Sequence, residues 1–265
     1  MRNAKPNVAD LKASPAPSVA HLISQSRERS TQDIKHRRFV FHAENQTVTL
    51  DDFKIDPNQV DLRVVDTSHL PLAKNAYRLY SLTEVRDALN PLLVVDAGTA
   101  ATLSVPTSLG LVLTNGHVAT SISHSLFATG VFCVNSSGAA KVAYISEFSS
   151  LECRDAVQSG PVIVSPGGHL GIHTAELSKP PLRRSLVSID SRGSAHFIIT
   201  SPAHLYDVAA FIIHFLGSNA ALNLATGTTQ SGLLVDDGHI TLVYGNVNAS
   251  IPAAIAVFRK NQLPR

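Results

Sequence analysis

Tryptophan is absent from this 265-residue chain, methionine occurs once, and aromatic residues make up 6%. So few rings argue against single-stranded nucleic-acid binding, which stacks bases on aromatic side chains. Charge is scarce as well. Only 16% of residues are charged, and 22 Lys plus Arg against 20 Asp plus Glu leave a formal net charge of +2. That balance disfavours a dedicated binder of nucleic acid or of anionic membranes. Cysteine occurs only as Cys133 and Cys153. Two thiols cannot build a thiolate-rich zinc site or ligate an iron–sulfur cluster. They can pair with each other, a point the sequence leaves open. No stretch approaches the ~18 consecutive apolar residues of a membrane span. The opening MRNAKPNVADLKASPAPSVAHLIS lacks the apolar segment of a secretory signal. The expectation is a cytoplasmic protein if the chain is full length, and an exported one if a signal peptide has been removed.

What is present is a 44% apolar fraction, enough for a sizeable core in one large domain or two small ones. Residues 1–20 are broken by prolines in an Ala/Ser background and read as a linker-like arm. Residues 20–36 are compatible with a short helix whose RERS run faces solvent. From Arg38 onward the texture changes to short β-type runs. The expected organisation is therefore a partly flexible N-terminal arm over 1–37 and a single domain over 38–265. Alternation and turn chemistry predict strands near 39–41, 47–50, 60–65, 92–95, 109–114, 130–134, 140–145, 161–164, 186–189, 196–200, 222–224, 233–235, 239–243 and 255–258. Two helices interrupt them. Leu82–Leu89 is opened by Ser81 or Thr83 with Glu84 in the first turn. In the second, Leu205, Val208, Ala209, Ile212, Ile213 and Leu216 share one face and Gly217 follows as a C-cap. Strands outnumber helices and do not alternate with them, which excludes a doubly wound sheet. The predicted class is α+β, a single domain with large mixed or antiparallel sheets and few helices.

Twelve histidines invite a metal reading, and HLGIH places His169 and His173 four apart. The flanking Pro166, Gly168 and Gly171 oppose a helix, and in an extended chain the two rings stand ~13 Å apart. No metal and no cofactor is expected. His36, His42, His196, His204 and His214 are scattered singly. A protease-like order of His117, Asp155 and Ser159 also fails, because 42 residues between His117 and Ser159 are too few for two barrels. Ser-Gly-Pro after Gln158 also departs from a nucleophile loop.

From Asp155 to Phe258, DAVQSGPVIV, RRSLVSIDSRGSAHFIIT, LYDVAAFIIHFLG, ALNLATGTTQSGL and IPAAIAVF resemble, block by block and in order, the phosphodiester glycosidase family. Upstream, LLVVDAGTAA, PTSLGLVLTNG and TGVFCVNSSGAAKV are similar to the same family's N-terminal half, so the resemblance spans roughly residues 40–260. Two departures stand out. The family's Leu-Asp-Gly-Gly loop reads Leu224-Ala225-Thr226-Gly227 here, and its first-turn Asn is Asp96. Loss of the loop acid puts ordinary hydrolysis in doubt.

The resemblance implies a protein acting on a sugar phosphate or another anionic glycan-type small molecule, a hydrolase or related transferase if it is active. A phosphorylated leaving group is a weak base and needs charge neutralisation more than acid help. Arg184 offers a planar fork for an anion, with Asp96 as candidate base and Ser159 as a third catalytic candidate. Gln158, Asn223, Thr226, Gly227, Thr228 and Thr229 are the candidate substrate-binding residues, the last four forming a hydroxyl-rich loop able to cradle an anion. The alternative is a catalytically silent relative that binds a ligand or partner protein through the same cleft.

Overall fold

The computed structural model describes residues 21–31, 33–43, 46–69, 79–98, 108–173, 179–226, 232–236 and 241–260. Three sheets dominate. The first runs β1 (His21–Gln25), β3 (Lys35–Ala43), β4 (Gln46–Ile55), β16 (Ala195–Thr200), β15 (Arg184–Asp190), β17 (Ser218–Thr226), β13 (Val162–Ser165) and β14 (His169–Leu170), with β2 (Arg29–Ser30) on β3. The second runs β11 (Ala140–Tyr144), β10 (Gly130–Val134), β12 (Asp155–Ser159), β8 (Val112–Thr114) and β9 (His117–Thr120). The third runs β19 (Thr241–Gly245), β18 (Gly232–Asp236), β7 (Leu93–Asp96), β21 (Ala253–Arg259) and β5 (Val60–Asp66). A small pair joins β20 (Ser250–Ile251) to β6 (Tyr80–Ser81).

The pairings among these strands are antiparallel. Two α-helices accompany them among the described residues, so the architecture is mainly β rather than the α+β class expected. The helices cover sheet faces and do not form a layer of their own. Each forms for a local reason. In α1 (Leu82–Leu89) the Ser81 hydroxyl accepts the Glu84 N–H and Glu84 reaches back to the Ser81 N–H, which satisfies two orphan donors of the first turn. In α2 (Leu205–Leu216) the apolar stripe lies on the first sheet, and Gly217 closes the helix at φ 65°, a left-handed conformation that glycine adopts without strain. The helix expected within 20–36 is instead β1 and β2, because their backbone groups pair with β3. β3 itself runs through the 37/38 position at which sequence divides arm from domain.

One face of each sheet meets in a shared core, with Phe197 and Leu222 from the first, Phe132 and Val157 from the second, and Val95 and Ile255 from the third. Outer faces are covered locally. Phe39, Phe41 and Leu186 pack under α2, and Val94, Leu234 and Ala256 pack with Leu82 and Val85 of α1. On the second sheet Cys133 and Cys153 form a disulfide with Cα atoms 5.8 Å apart. A cross-link of this span removes about 3 kcal/mol of chain entropy from the unfolded state in the loop-closure account.

The first sheet also holds a buried ionic seam. His196 bridges Asp52 Oδ1 at 2.8 Å and Asp190 Oδ2 at 3.4 Å. Arg37 donates to Asp52 Oδ2 and Lys54 to Asp190 Oδ2, while the Arg192 and Ser194 N–H groups donate to Asp190 Oδ1. All four carboxylate oxygens and both imidazole nitrogens are partnered, as burial of such groups requires.

Candidate active site

The site is assembled where the chain leaves the second sheet for the first. Three consecutive residues there attach three separate segments. Gln158 Oε1 accepts the Leu111 and Ser123 N–H groups at 3.0 and 2.9 Å, and its Nε2 donates to the Ser123 and Ala128 carbonyls at 2.6 and 2.7 Å. Ser159 Oγ donates to the Leu224 carbonyl at 2.8 Å. The Gly160 carbonyl accepts Asn223 Nδ2 at 2.8 Å. Only glycine fits at 160, since a Cβ would lie 2.4 Å from the Phe127 carbonyl oxygen and 2.7 Å from the Thr129 nitrogen. A cis peptide then leads into Pro161, and Val162 enters the first sheet opposite Leu222.

From the other side, Arg184 opens β15 opposite Thr226. Its backbone N–H donates to Thr200 Oγ1 at 3.2 Å, and its Nη1 donates to Thr226 Oγ1 at 2.8 Å. Asn223 sends its second amide N–H to the same hydroxyl at 3.2 Å. Residues three apart on a regular strand face opposite ways. Here the pairing slips from Leu186↔Asn223 to Ser185↔Ala225. The extra residue, Leu224, is a bulge that brings Asn223 and Thr226 to one face.

The valences of this cluster are the informative part. Thr226 Oγ1 receives two donors, so its own proton has no acceptor among the described residues. Asn223 uses both amide hydrogens, yet its buried Oδ1 has no partner among the described residues. A buried polar atom left open costs free energy unless something fills it. With the buried Arg184 guanidinium, the cluster presents a cation, a hydroxyl donor and an amide acceptor, a set suited to an anion carried by a polyhydroxylated molecule.

The structure therefore brings together Arg184, Ser159, Asn223 and Thr226. Gln158 adjoins them, but its amide is saturated by backbone partners and clamps the 111–128 segment, which leaves it nothing for a substrate. Gly227, Thr228 and Thr229 lie outside the described residues. Asp96 stands in the third sheet, opposite Ala254, and makes no hydrogen bond to the cluster. Val94 packs under α1 while Val95 belongs to the inter-sheet core, so alternation places Asp96 on the α1-covered face. Among the described residues its carboxyl accepts one hydrogen bond, from the Gly98 N–H at 3.3 Å, and Oδ2 has no partner. Burial pushes the Asp96 carboxyl well above the ordinary carboxylate range, against that single backbone hydrogen bond. Burial therefore favours the protonated form of this carboxyl, which runs against the role of base expected of it. The pairing of Leu233 with Val95 sets Gly232 beside Asp96. Residues 227–231 thus join Thr226 to the strand alongside Asp96.

No group of three or more His, Cys, Asp or Glu residues among those described is placed to hold a metal. The protease-like trio is dispersed: His117 is exposed on the edge strand β9, Asp155 is occupied by Arg154 and the Asn115 N–H, and Ser159 by Leu224. Sequence reasoning missed three contributors, namely the Thr200 hydroxyl, the Gly160 carbonyl and the Leu224 bulge. The Ser-Gly-Pro break after β12 was the available signal for the second.

An antiparallel multi-sheet β-fold with a cationic, hydroxyl-bearing polar cluster at a sheet junction is the class these features define. A phosphodiester glycosidase family model matches residues 83–258, 176 of the 265 residues, and the chain belongs to that family. Among solved structures it is similar to the zebrafish N-acetylglucosamine-1-phosphodiester alpha-N-acetylglucosaminidase catalytic domain, auto-inhibited by its pro-peptide. The TM-score is 0.69 at 12% identity, over 91% of this chain and 89% of that one. A hypothetical protein from Synechocystis matches with TM-score 0.64 at 13% identity, over 89% of this chain, which spans only 64% of that protein's length. A putative exported protein from Burkholderia pseudomallei K96243 matches with TM-score 0.55 at 10% identity, over 82% and 75% of the two chains. At these identities the likenesses establish the fold. No curated protein sequence matches the chain.

Proposed function

We propose that the chain is a glycosidase-like protein that grips a phosphodiester-linked sugar at the Arg184–Thr226–Asn223 cluster. The observation that carries this is the pair of open valences, the Thr226 proton and Asn223 Oδ1, beside a buried guanidinium. Arg184 neutralises the phosphate and Thr226 donates to one of its oxygens, while Asn223 accepts from a sugar hydroxyl. Ser159 fixes the Leu224 bulge and so positions the other two. Asp96, at the end of β7 next to the start of β18, is the carboxyl assigned as proton donor to the departing oxygen. The disulfide suits an oxidising compartment and hence the exported alternative.

A second reading, a relative that binds without turnover, is favoured by two observations: Ala225 stands buried where the family has an acid, and Asp96 has no direct bond to the cluster. One titration series separates the two. Arg184→Ala should weaken binding of a sugar 1-phosphate by ~1.5–3 kcal/mol, the range for hydrogen bonds to a charged group. Asp96→Asn should leave that affinity intact and, if the enzyme reading holds, lower hydrolysis of a sugar 1-phosphodiester by ~10²-fold or more. Equal affinities of wild type and Arg184→Ala would sink the site, and wild-type binding with no turnover would establish the second reading.

A further inference from the structure

Leu126 and Phe127 are 88% and 78% exposed, on a turn held by local hydrogen bonds. Ser125 Oγ accepts the Phe127 N–H and Ser123 Oγ accepts the Ser125 N–H, both at 3.2 Å, and the Ala128 N–H closes onto the Ser125 carbonyl. Below the turn, Gln158 holds the Ser123 backbone by both groups and the Ala128 carbonyl by one. Two adjacent large apolar side chains displayed on an anchored turn mark a contact surface, because ordering them in advance removes the entropy cost of binding.

Their turn adjoins the polar cluster. The Phe127 carbonyl abuts Gly160, the Gly160 carbonyl binds Asn223, and Asn223 shares Thr226 with Arg184. Gln158, Ser159 and Gly160 are consecutive, so one strand end sets both the apolar turn and the polar cluster. We infer that Leu126 and Phe127 form an apolar subsite for the second alcohol of the phosphodiester, and that the substrate is amphiphilic: a sugar phosphate esterified to an alkyl or aryl alcohol. The inference rests on the proposed function, which assigns the anion to the cluster that the turn adjoins through Gly160 and Asn223. No Lys or Arg lies between His117 and Ala140, so this turn has no charge to draw it to an anionic bilayer.

The test uses the full chain and the Leu126→Ser/Phe127→Ser double variant, whose exposed positions leave the core untouched. Each is titrated calorimetrically with sugar 1-phosphodiesters of methanol, phenol and octanol, and each is sedimented with phosphatidylcholine vesicles. Wild type should bind the octyl ester roughly 10-fold or more tighter than the methyl ester, the scale for covering a few methylenes. The double variant should lose that preference while keeping the methyl-ester affinity. Equal wild-type affinities for methyl and octyl esters would overturn the subsite and leave the Arg184 reading standing. Equal affinities with vesicle binding that the double variant loses would make the turn a membrane anchor instead. Failure to bind any of the esters would overturn the subsite and the proposed function together.

Discussion

The seam around His196 and the cluster around Thr226 lie in the same sheet, both buried and both polar, and they differ in one respect. In the seam the two carboxylates and the imidazole meet a partner at every oxygen and nitrogen. In the cluster an amide oxygen and a hydroxyl proton remain open among the described residues. Saturation is what a structural polar group needs, because an unmet valence in a low dielectric is costly. Openness at a site that already holds a guanidinium is what a ligand needs. The contrast holds for the carboxylates and the imidazole of the seam, since Arg37 Nε beside them is itself buried without a partner among the described residues; it is what sets the Thr226 cluster apart as a candidate site.

Titration follows the same division. Burial alone would push the Asp190 carboxyl up, but hydrogen bonds from His196, Lys54 and the Ser194 and Arg192 N–H groups outweigh it and hold it well below the ordinary range. Burial would likewise lower His196, and its bonds to Asp190 and Asp52 raise it instead. Asp96, with one backbone hydrogen bond, is left to desolvation and rises.

The largest expected effect breaks the seam. His196→Leu leaves two buried carboxylates without their shared cation and should cost about 3–5 kcal/mol in urea unfolding. The stabilisation from a raised His pKa is complete below the unfolded value of about 6.5 and is lost as pH rises through the folded value. The gap between wild type and variant should accordingly be wider at pH 6 than at pH 9, and a gap independent of pH would remove His196 from the seam's energetics. Next comes Asp96. With its pKa raised, the unfolded chain releases a proton that the native state keeps, so stability falls as pH climbs above about 4. Asp96→Asn should flatten that fall by at most about 1.4 kcal/mol per pH unit, the ceiling for one proton. Parallel wild-type and variant profiles from pH 4 to 8 would show that Asp96 ionises freely. The smallest stability effect belongs to Thr226→Val, about 0.5–1.5 kcal/mol for hydrogen bonds at a half-buried hydroxyl. The same substitution should weaken sugar-phosphate affinity. A large loss of stability with unchanged affinity would move Thr226 to the scaffold side of the comparison.

Much of the fold was legible from local pattern. The alternation in Val60–Val65, the turn at Asn115-Gly116 and the stripe of α2 with Gly217 each report a short-range preference, and each element is found where the pattern put it. The site was legible in part. Of the candidate residues, Arg184, Ser159, Asn223 and Thr226 are brought together, Gln158 clamps a loop, and Asp96 stands in another sheet with a carboxyl that burial favours in its protonated form. His196 carried no signal at all, because Asp52 and Asp190 reach it only through the registers of β4, β16 and β15.

Residue pattern by itself determined that this is a strand-rich chain, without a helix long and apolar enough to span a membrane among the described residues, and, through ordered blocks, a phosphodiester glycosidase family member. Only the tertiary structure decided which polar residues are satisfied. Hydrogen-bond saturation depends on groups contributed by strands far apart in sequence, as when Leu111, Ser123 and Ala128 close on Gln158. The bulge at Leu224 is of the same kind. One extra residue in a pairing is invisible along the chain, yet it turns Asn223 and Thr226 to a common face beside Arg184.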